Sequence, residues 1–490
     1  MEIKELPNLF FKNLGLRQTV IKNTFWLTVS EVIFRLSQFL LIIYSIGILG
    51  ATEFGKFAFA FAFVSLFAFF SDFGLSDIAT REFSQDKRKE KEYSSVLGLK
   101  IILTIGSLIL VIAGSFFVTS DIIIKKVIWI LALSTLVYNF SFIILAFFRA
   151  RQQMEYEAGA KIIQALIMAG IVIFVLFNFP SIENMGWGYL IANLTACVLL
   201  LIFFNFYIQP LKLSFNKAIL RKFFLFSQFL GFATIFNAII LNIDSVIMGH
   251  LGQVTENGWY SAARTIVNLI YVVATLVWMS FYPALSSLFK KSKEKFQKVW
   301  NYYMESMIIL AVPLVVGCLT LAPRIFNFIY GQGFSPSVPS FKILIFAAGI
   351  SFIYNPYIII LFVSDQQKKY LWTYSIAALI NVIANIILIP RYSFYGASIT
   401  MVITSIIILF LGVEFSRRMS YISLFNIRLL KIAIIVILSG LIMLLAIRQP
   451  VIYHLNVVFS VVAGIVSYFT ALFIFYKFLY KLNWLSNDNF

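Results

Sequence analysis

The chain has 490 residues and a formal net charge of +18, yet 61% of its residues are hydrophobic and only 12% are charged. Its mean hydropathy is +0.92. A soluble domain is typically ~45–50% apolar and ~25% charged. This chain has too little polar surface to cover a water-soluble globule, and it reads as an all-α polytopic membrane protein with almost no extramembrane mass. The surplus of Lys and Arg gathers at the ends of apolar runs, so it is a topology signal and no nucleic-acid partner is expected.

At the N-terminus, the stretch "LPNLFFKNLGLRQTVIKN" has the mixed pattern of an interfacial amphipathic helix. The first apolar run starts at Phe25. It is too long for the core of a signal peptide and lacks a small-residue cleavage site, so it should stay as a membrane helix. A spanning helix needs ~20 mostly apolar residues. Such segments fall at 24–49, 54–80, 94–118, 127–148, 158–178, 186–207 and 223–249, and again at 258–287, 300–322, 339–363, 370–390, 396–416, 428–447 and 453–479. The connections are too short to hold a domain.

With the N-terminus inside, 30 of the 39 Lys and Arg lie at cytoplasmic ends and seven at outer ends, while Arg35 and Arg264 fall within helices. The positive-inside rule therefore places both termini in the cytoplasm and supports the count of about fourteen helices. The runs "DKRKEKE" and "KKSKEK" belong to this pattern.

An internal repeat shows in the first and seventh hairpins. "GILGATEFGKFA" from Gly47 matches "GHLGQVTENGWYS" from Gly249, at an offset of 202–203. Gln152-Gln153 and Gln366-Gln367 recur at an offset of 214, and Pro180 and Pro390 end the fifth and eleventh helices. The order of these matches implies two six-helix halves of the same orientation, 1–210 and 211–420, with two extra helices and a cytoplasmic tail in 421–490. In transporters built from such parallel repeats the substrate site lies between the halves near the midplane.

Ionisable residues at bilayer depth cost ~2.5–3.5 kcal/mol each on insertion scales, so each needs a reason. Arg35 lies ten residues past Phe25, roughly 15 Å into the membrane. Thr24, Thr28, Glu31, Arg35, Gln38 and Ser45 share one helix face. They either wall a hydrophilic cavity or seal a helix contact through a Glu31–Arg35 pair, and the length of the stripe favours the cavity. On the seventh helix Thr234, Asn237 and Asp244 share a face, and Arg264 follows on the eighth at a similar depth to Asp244. Those two charges either pair with each other or serve substrate and ion. Asp72, Asp77 and Arg81 cluster at the cytoplasmic end of the second helix and read mainly as structural. Lys342 and Lys125-Lys126 sit at the outer mouth, placed to meet anionic groups or to snorkel.

No Walker loop, zinc motif or nucleophile elbow is present in the sequence. Cys197 and Cys318 lie in apolar runs without a partner spacing. His250 and His454 are far apart in expected loops, and isolated residues make poor metal sites. The chain is therefore expected to be no enzyme and to hold no cofactor, and coupling to H⁺ or Na⁺ is left open.

The segment "LGATEFGKFAFAFAFVSLFAFFSDFGLSDIATREFS" at 49–84 resembles the N-terminal signature of bacterial polysaccharide-biosynthesis exporters, the O-antigen (Wzx-type) flippases of the multidrug/oligosaccharidyl-lipid/polysaccharide exporter superfamily. "LNIDSVIMGHLGQVTENGWYSAARTI" at 241–266 resembles the start of that family's second lobe. "FIYGQGFSPSVPSFKIL" and "ILIPRYSFYGASITMVIT" resemble two of its later helix junctions.

The resemblance implies two six-helix lobes around a cavity that opens alternately to each side, in the bacterial inner membrane. It implies a lipid-linked oligosaccharide substrate, carried on undecaprenyl diphosphate, with membrane lipids, a glycan polymerase and glycosyltransferases as partners. Related lipid II flippases use cavity arginines on the first and eighth helices for the diphosphate, and Arg35 and Arg264 lie on the matching helices here. On this reading Arg35, Arg264, Gln38, Asn237 and Lys342 are the candidate substrate residues. Glu31, Asp244 and Asp72 are the candidate ion-coupling or structural-pair residues. A multidrug exporter of organic cations is the alternative, for which such a cavity should be dominated by carboxylates. A non-transporting scaffold of a glycan assembly complex is a third reading.

Overall fold

The computed structural model describes residues 15–208, 210–289, 291–417, 427–453 and 456–481. The first part of the expected interfacial helix, His454 and the C-terminal tail lie outside them. In a hydrocarbon solvent every backbone N–H and C=O must be satisfied within the protein, which leaves the helix as the default for apolar runs of this length. The helices are α1 (Leu16–Ala68), α2 (Leu75–Gln85), α3 (Tyr93–Val118), α4 (Ile122–Ala150), α5 (Met154–Asn178), α6 (Ile182–Tyr207) and α7 (Lys217–His250). They continue as α8 (Val254–Phe289), α9 (Lys293–Tyr330), α10 (Ser337–Val363), α11 (Gln367–Arg417), α12 (Ile427–Arg448), the one-turn α13 (Pro450–Tyr453) and α14 (Val457–Lys481).

Twelve of the helical stretches among the described residues are long and apolar enough to cross a membrane. Two of the twelve are too long for one crossing. At 1.5 Å per residue, α1 and α11 would each run about 75–80 Å against a hydrocarbon core of ~30 Å. Both break where a crossing should end: α1 at Gly50, with φ 73°, and α11 at Ser393, with φ 50°. In α11 the chain folds back on itself. Asn381 Nδ2 donates to Thr404 Oγ1 at 2.9 Å, and the Cα of Gly396 approaches the carbonyl of Leu388 so closely that a Cβ would lie 2.4 Å from it. Residues eight apart in one straight helix would be ~12 Å apart along the axis. Counting each bent helix as two crossings reconciles the twelve stretches with the fourteen spans of the sequence.

The chain divides into two compact units, residues 1–258 and 259–490. In the first, α1 packs on α4, α5 and α7, while α6 packs on α4 and α5. An aromatic core, including Phe83, Tyr93, Phe147, Phe148, Phe204 and Phe223, ties together α2, α3, α4, α6 and α7. In the second, α10 packs on α9 and α11, and α12 and α14 pack on α9 and on each other. This pair is fastened by Tyr468, whose hydroxyl donates to the Ile309 carbonyl at 2.8 Å, and by an Arg428–Glu305 ion pair at 2.8 Å. Serine and threonine hydroxyls inside the spans bond back to carbonyls one turn earlier, as Ser45 does to Leu41 and Ser439 to Ile435. These residues are polar in sequence and satisfied within their own helix.

The turns paired by the sequence match share a positive φ. Gly50 and Gly252 have φ 73° and 75°. Gln152 and Asp365 also match, each at φ 57°. The residue after each closes the same turn, Gln153 N–H to the Phe148 carbonyl and Gln366 N–H to the Leu361 carbonyl. The glutamines thus correspond at an offset of 213, one less than the sequence alignment.

Candidate functional site

The first unit contains a cavity of about 490 Å³. Its walls are largely apolar, with Phe34, Phe61 and Tyr138 among them, and its polar lining includes Gln38, Asp72, Asn139, Gln164 and Asn193. Such a lining, apolar with a few placed polar groups, is what small-molecule and substrate sites have.

One wall is made by irregular backbone. Helix α1 ends at Ala68, a short 3₁₀ turn follows at Phe69–Ser71, and α2 starts only at Leu75. Between them Phe73 and Gly74 take positive φ, 46° and 73°. Broken helix at membrane depth survives only where it is buried in protein or lines a cavity, and here it does both. The orphaned carbonyls are met by side chains from neighbouring helices: Ser107 Oγ donates to Phe67 at 2.7 Å, and Asn139 Nδ2 donates to Ala68 at 3.0 Å. At the break, Asp72 accepts from the Ser76 hydroxyl and from Lys100 Nζ on α3. The Lys100 side chain is 0% exposed. Its four-carbon stem passes through the apolar packing and delivers the ammonium to the one carboxylate at the break.

A second set of charges forms a ladder of alternating sign. Arg35 Nε is 2.7 Å from Glu31 Oε1, one turn back on α1. The other oxygen of Glu31 lies 4.0 Å from Lys161 on α5. Lys161 pairs with Glu157 at 3.1 Å, Glu157 with Arg149 on α4 at 3.2 Å, and Arg149 with Asp77 at 3.6 Å. Three cations face three carboxylates, so the ladder is neutral as a whole. Its ends differ from its middle: Glu157 is 3% exposed, whereas Arg35 keeps 49% of its side chain exposed. An anion reaching Arg35 can share its guanidinium with Glu31 without entering the buried middle.

The candidate residues fall as follows. Gln38 and Asp72 line the cavity, while Glu31 and Arg35 form the pair of the sequence's second alternative, one turn from Gln38. Asn237 is half-buried on α7. Asp244, also on α7, is fully buried, and its carboxylate accepts the Ser245 N–H at 2.7 Å. Arg264 is half-buried on α8 and Lys342 is exposed near the start of α10, both in the second unit. Asp77 meets Arg149 rather than Arg81, which turns to Glu82 at 3.5 Å.

Residues 20–289, more than half of the chain, match the polysaccharide biosynthesis protein family. The chain belongs to that family. It is 22% identical over 412 residues to the capsular polysaccharide biosynthesis protein CapF of Staphylococcus aureus, covering 81% of this chain and all of CapF. It is 23% identical over 357 residues to an uncharacterized membrane protein in the cps region of Klebsiella pneumoniae, covering 70% and 71% of the two chains. Among solved structures, the lipid II flippase MurJ in an inward closed conformation superposes with a TM-score of 0.69 at 19% identity, covering 91% of this chain and 99% of MurJ. An outward-facing multidrug resistance MATE transporter gives 0.60 at 13% identity, covering 81% and 95%. At these identities the likeness is one of fold, a multi-pass bundle of helices.

The structure adds functional candidates. In the sequence Lys100, Arg149 and Lys161 read as charges at cytoplasmic helix ends. The i,i+4 spacing of Glu157 and Lys161 was a usable signal. For Lys100 the signal was its position seven residues into a span, about 10 Å along the helix axis.

Proposed function

We propose that the protein is a flippase, not an enzyme. It moves an undecaprenyl-diphosphate-linked oligosaccharide, an O-antigen or other surface polysaccharide repeat unit, across the bacterial inner membrane by alternating access. The observation that carries this reading is Arg35: a half-exposed guanidinium at mid-span, fixed by Glu31 and one turn from cavity-lining Gln38. A diphosphate-linked sugar cannot cross ~30 Å of hydrocarbon unshielded, because each unpaired polar group costs several kcal/mol to bury. Arg35 offers charge-assisted, fork-like bonds to the diphosphate, Gln38 offers an amide to the sugar side, and the polyprenyl tail stays in lipid. Arg264, Asn237 and Lys342 are the corresponding candidates farther along the chain. Asp72 with Lys100, Glu31 and Asp244 are candidates for H⁺ or Na⁺ coupling.

The arrangement we propose has six-helix lobes at 1–210 and 211–420, an appended pair at 421–490, and both termini in the cytoplasm. The partners are the glycosyltransferases that build the unit and the polymerase that consumes it.

The test is transport by the purified chain in liposomes, using undecaprenyl diphosphate that carries a labelled oligosaccharide. The wild-type chain should expose the label on the far side. Arg35→Ala should abolish transfer, and Arg35→Lys should keep part of it, since the charge survives but the planar fork does not. Full transfer by Arg35→Ala would remove Arg35 from the mechanism, and no transfer by wild type would favour a scaffold role. A multidrug-export reading is favoured by one observation, the two carboxylates Asp72 and Asp77 on the cavity wall. It requires that cells lacking the chain become more sensitive to cationic drugs while exporting polysaccharide normally.

A further inference from the structure

Within the second unit, aromatic side chains of α8, α10 and α11 form a continuous strip. On α8, Trp278 and Tyr282 stack one turn apart with ring centroids at 5.1 Å. Trp278 meets the edge of Phe362 on α10 at 6.2 Å. Phe362 in turn contacts Tyr370 on α11 at 4.5 Å, and Tyr370 contacts Tyr374 at 4.6 Å.

Every ring in this strip is half-buried. That sets it apart from two commoner kinds of aromatic cluster. The rings of a packed core, such as Phe147 and Phe148 in the first unit, are 0% exposed. A residue of a lipid-facing aromatic belt projects outward, as Trp372 does at 62% exposed. The strip holds its rings against one another and still presents surface, and three of its five members are tyrosines.

We propose that this strip is the sugar-contacting surface of the protein, taking the pyranose rings of a lipid-linked glycan. A pyranose has a face of C–H bonds and a rim of hydroxyls. The negative π faces of Trp and Tyr accept the C–H face, and the phenol hydroxyls, each donor and acceptor, meet the rim. Both contacts are made by rigid side chains that lose little entropy on binding. Stacking of this kind reads the presence of sugar rings more than their identity, so the strip holds the glycan while cations elsewhere hold the diphosphate. This inference rests on the flippase reading and adds to it where the sugar is held.

The experiment compares two probes on the full chain in lipid nanodiscs: bare undecaprenyl diphosphate, and undecaprenyl diphosphate bearing a hexose trisaccharide. The ratio of their dissociation constants isolates the sugar contact. Wild type should bind the glycan-bearing probe about tenfold tighter than the bare one, the equivalent of ~1.4 kcal/mol. Trp278→Leu and Tyr374→Leu should bring the ratio to about one, while Tyr374→Phe, which keeps the ring, should retain most of it. A wild-type ratio of one would overturn the proposal, and so would leucine variants whose ratio is unchanged, including variants that lose affinity for both probes in parallel. If wild type binds neither probe, the flippase reading itself falls and takes this inference with it.

Discussion

Thr52 and Thr255 lie 203 residues apart and join their hydroxyls at 2.9 Å. They stand at matching places in the two similar sequence motifs, each just after the turn glycine, Gly50 or Gly252. The contact is reciprocal around them. A Cβ on Gly55 would fall 1.7 Å from the carbonyl oxygen of Val254, and one on Gly258 would fall 1.9 Å from that of Ala51. Asn257 Nδ2 adds a bond to the Gly55 carbonyl at 2.9 Å. The two repeat motifs thus cross backbone to backbone, and α7, which leads into the second motif, packs within the first compact unit.

This crossing predicts that Gly55→Ala and Gly258→Ala are severe although each adds one methyl group. Neither contact can relax by turning a side chain, because both partners are backbone. Each variant should lose at least ~1–3 kcal/mol, read as a lower unfolding temperature of the detergent-solubilised chain. Thr52→Val should cost ~1 kcal/mol or less, since its hydroxyl is exposed. Equal stability of the glycine variants and wild type would show that the helices do not cross this closely.

At the break in the second span, Lys100→Met leaves Asp72 without its cation, and Asp72→Asn leaves a fully buried ammonium. Removing one member of a buried pair costs ~3–5 kcal/mol, whereas replacing both is often neutral. Each single variant should therefore be poorly inserted or rapidly degraded, and Lys100→Met with Asp72→Asn should recover protein level. Transport by the recovered double variant is the informative reading. Normal rates would assign the pair to structure, and loss would assign it to ion coupling.

Along the charge ladder the effect should depend on depth. Glu157→Gln removes the shorter ion pair of both Arg149 and Lys161, leaving each one longer contact at 3.6 and 4.0 Å, and it should lower protein abundance markedly. Asp77→Asn should change stability by ~1 kcal/mol at most, because Asp77 is 64% exposed and 3.6 Å from Arg149. Arg35→Ala should likewise leave abundance near wild type, so that any transport defect reports on function. An abundance profile that ignored position along the ladder would contradict the network.

Asp244 is fully buried, so Asp244→Ala should reduce abundance. If Asp244 and Arg264 neutralise one another, Arg264→Ala should do the same and the double alanine variant should recover both abundance and export. A double variant that is abundant but fails to export would instead make Arg264 a substrate residue.

A reporter active only outside the cytoplasm should be active when inserted at Gly252, between α7 and α8, and silent when fused after Phe490. Activity at the C-terminal fusion would require an odd number of crossings.

The sequence by itself determined the all-helical class and the number of apolar spans, because the length of an apolar run is a local property; it did not show the break between Ala68 and Leu75 inside the expected span 54–80. It also marked two turns, since Gly50 and Gly252 both take a positive φ and glycine enters that region without strain. What it could not determine was which charges meet. Lys100 and Asp72 are 28 residues apart, and Lys22 and Glu155, a buried pair at 2.8 Å, are 133 apart. A lysine at a helix end and a lysine reaching into a break of the neighbouring helix have the same one-dimensional signature, and long flexible stems make their partners a matter of which helices pack together. The aromatic strip has the same origin. Its Trp278–Tyr282 and Tyr370–Tyr374 pairs follow from i,i+4 spacing, but only the packing of α8, α10 and α11 joined those pairs through Phe362, since contacts between helices depend on tertiary arrangement and not on any local period.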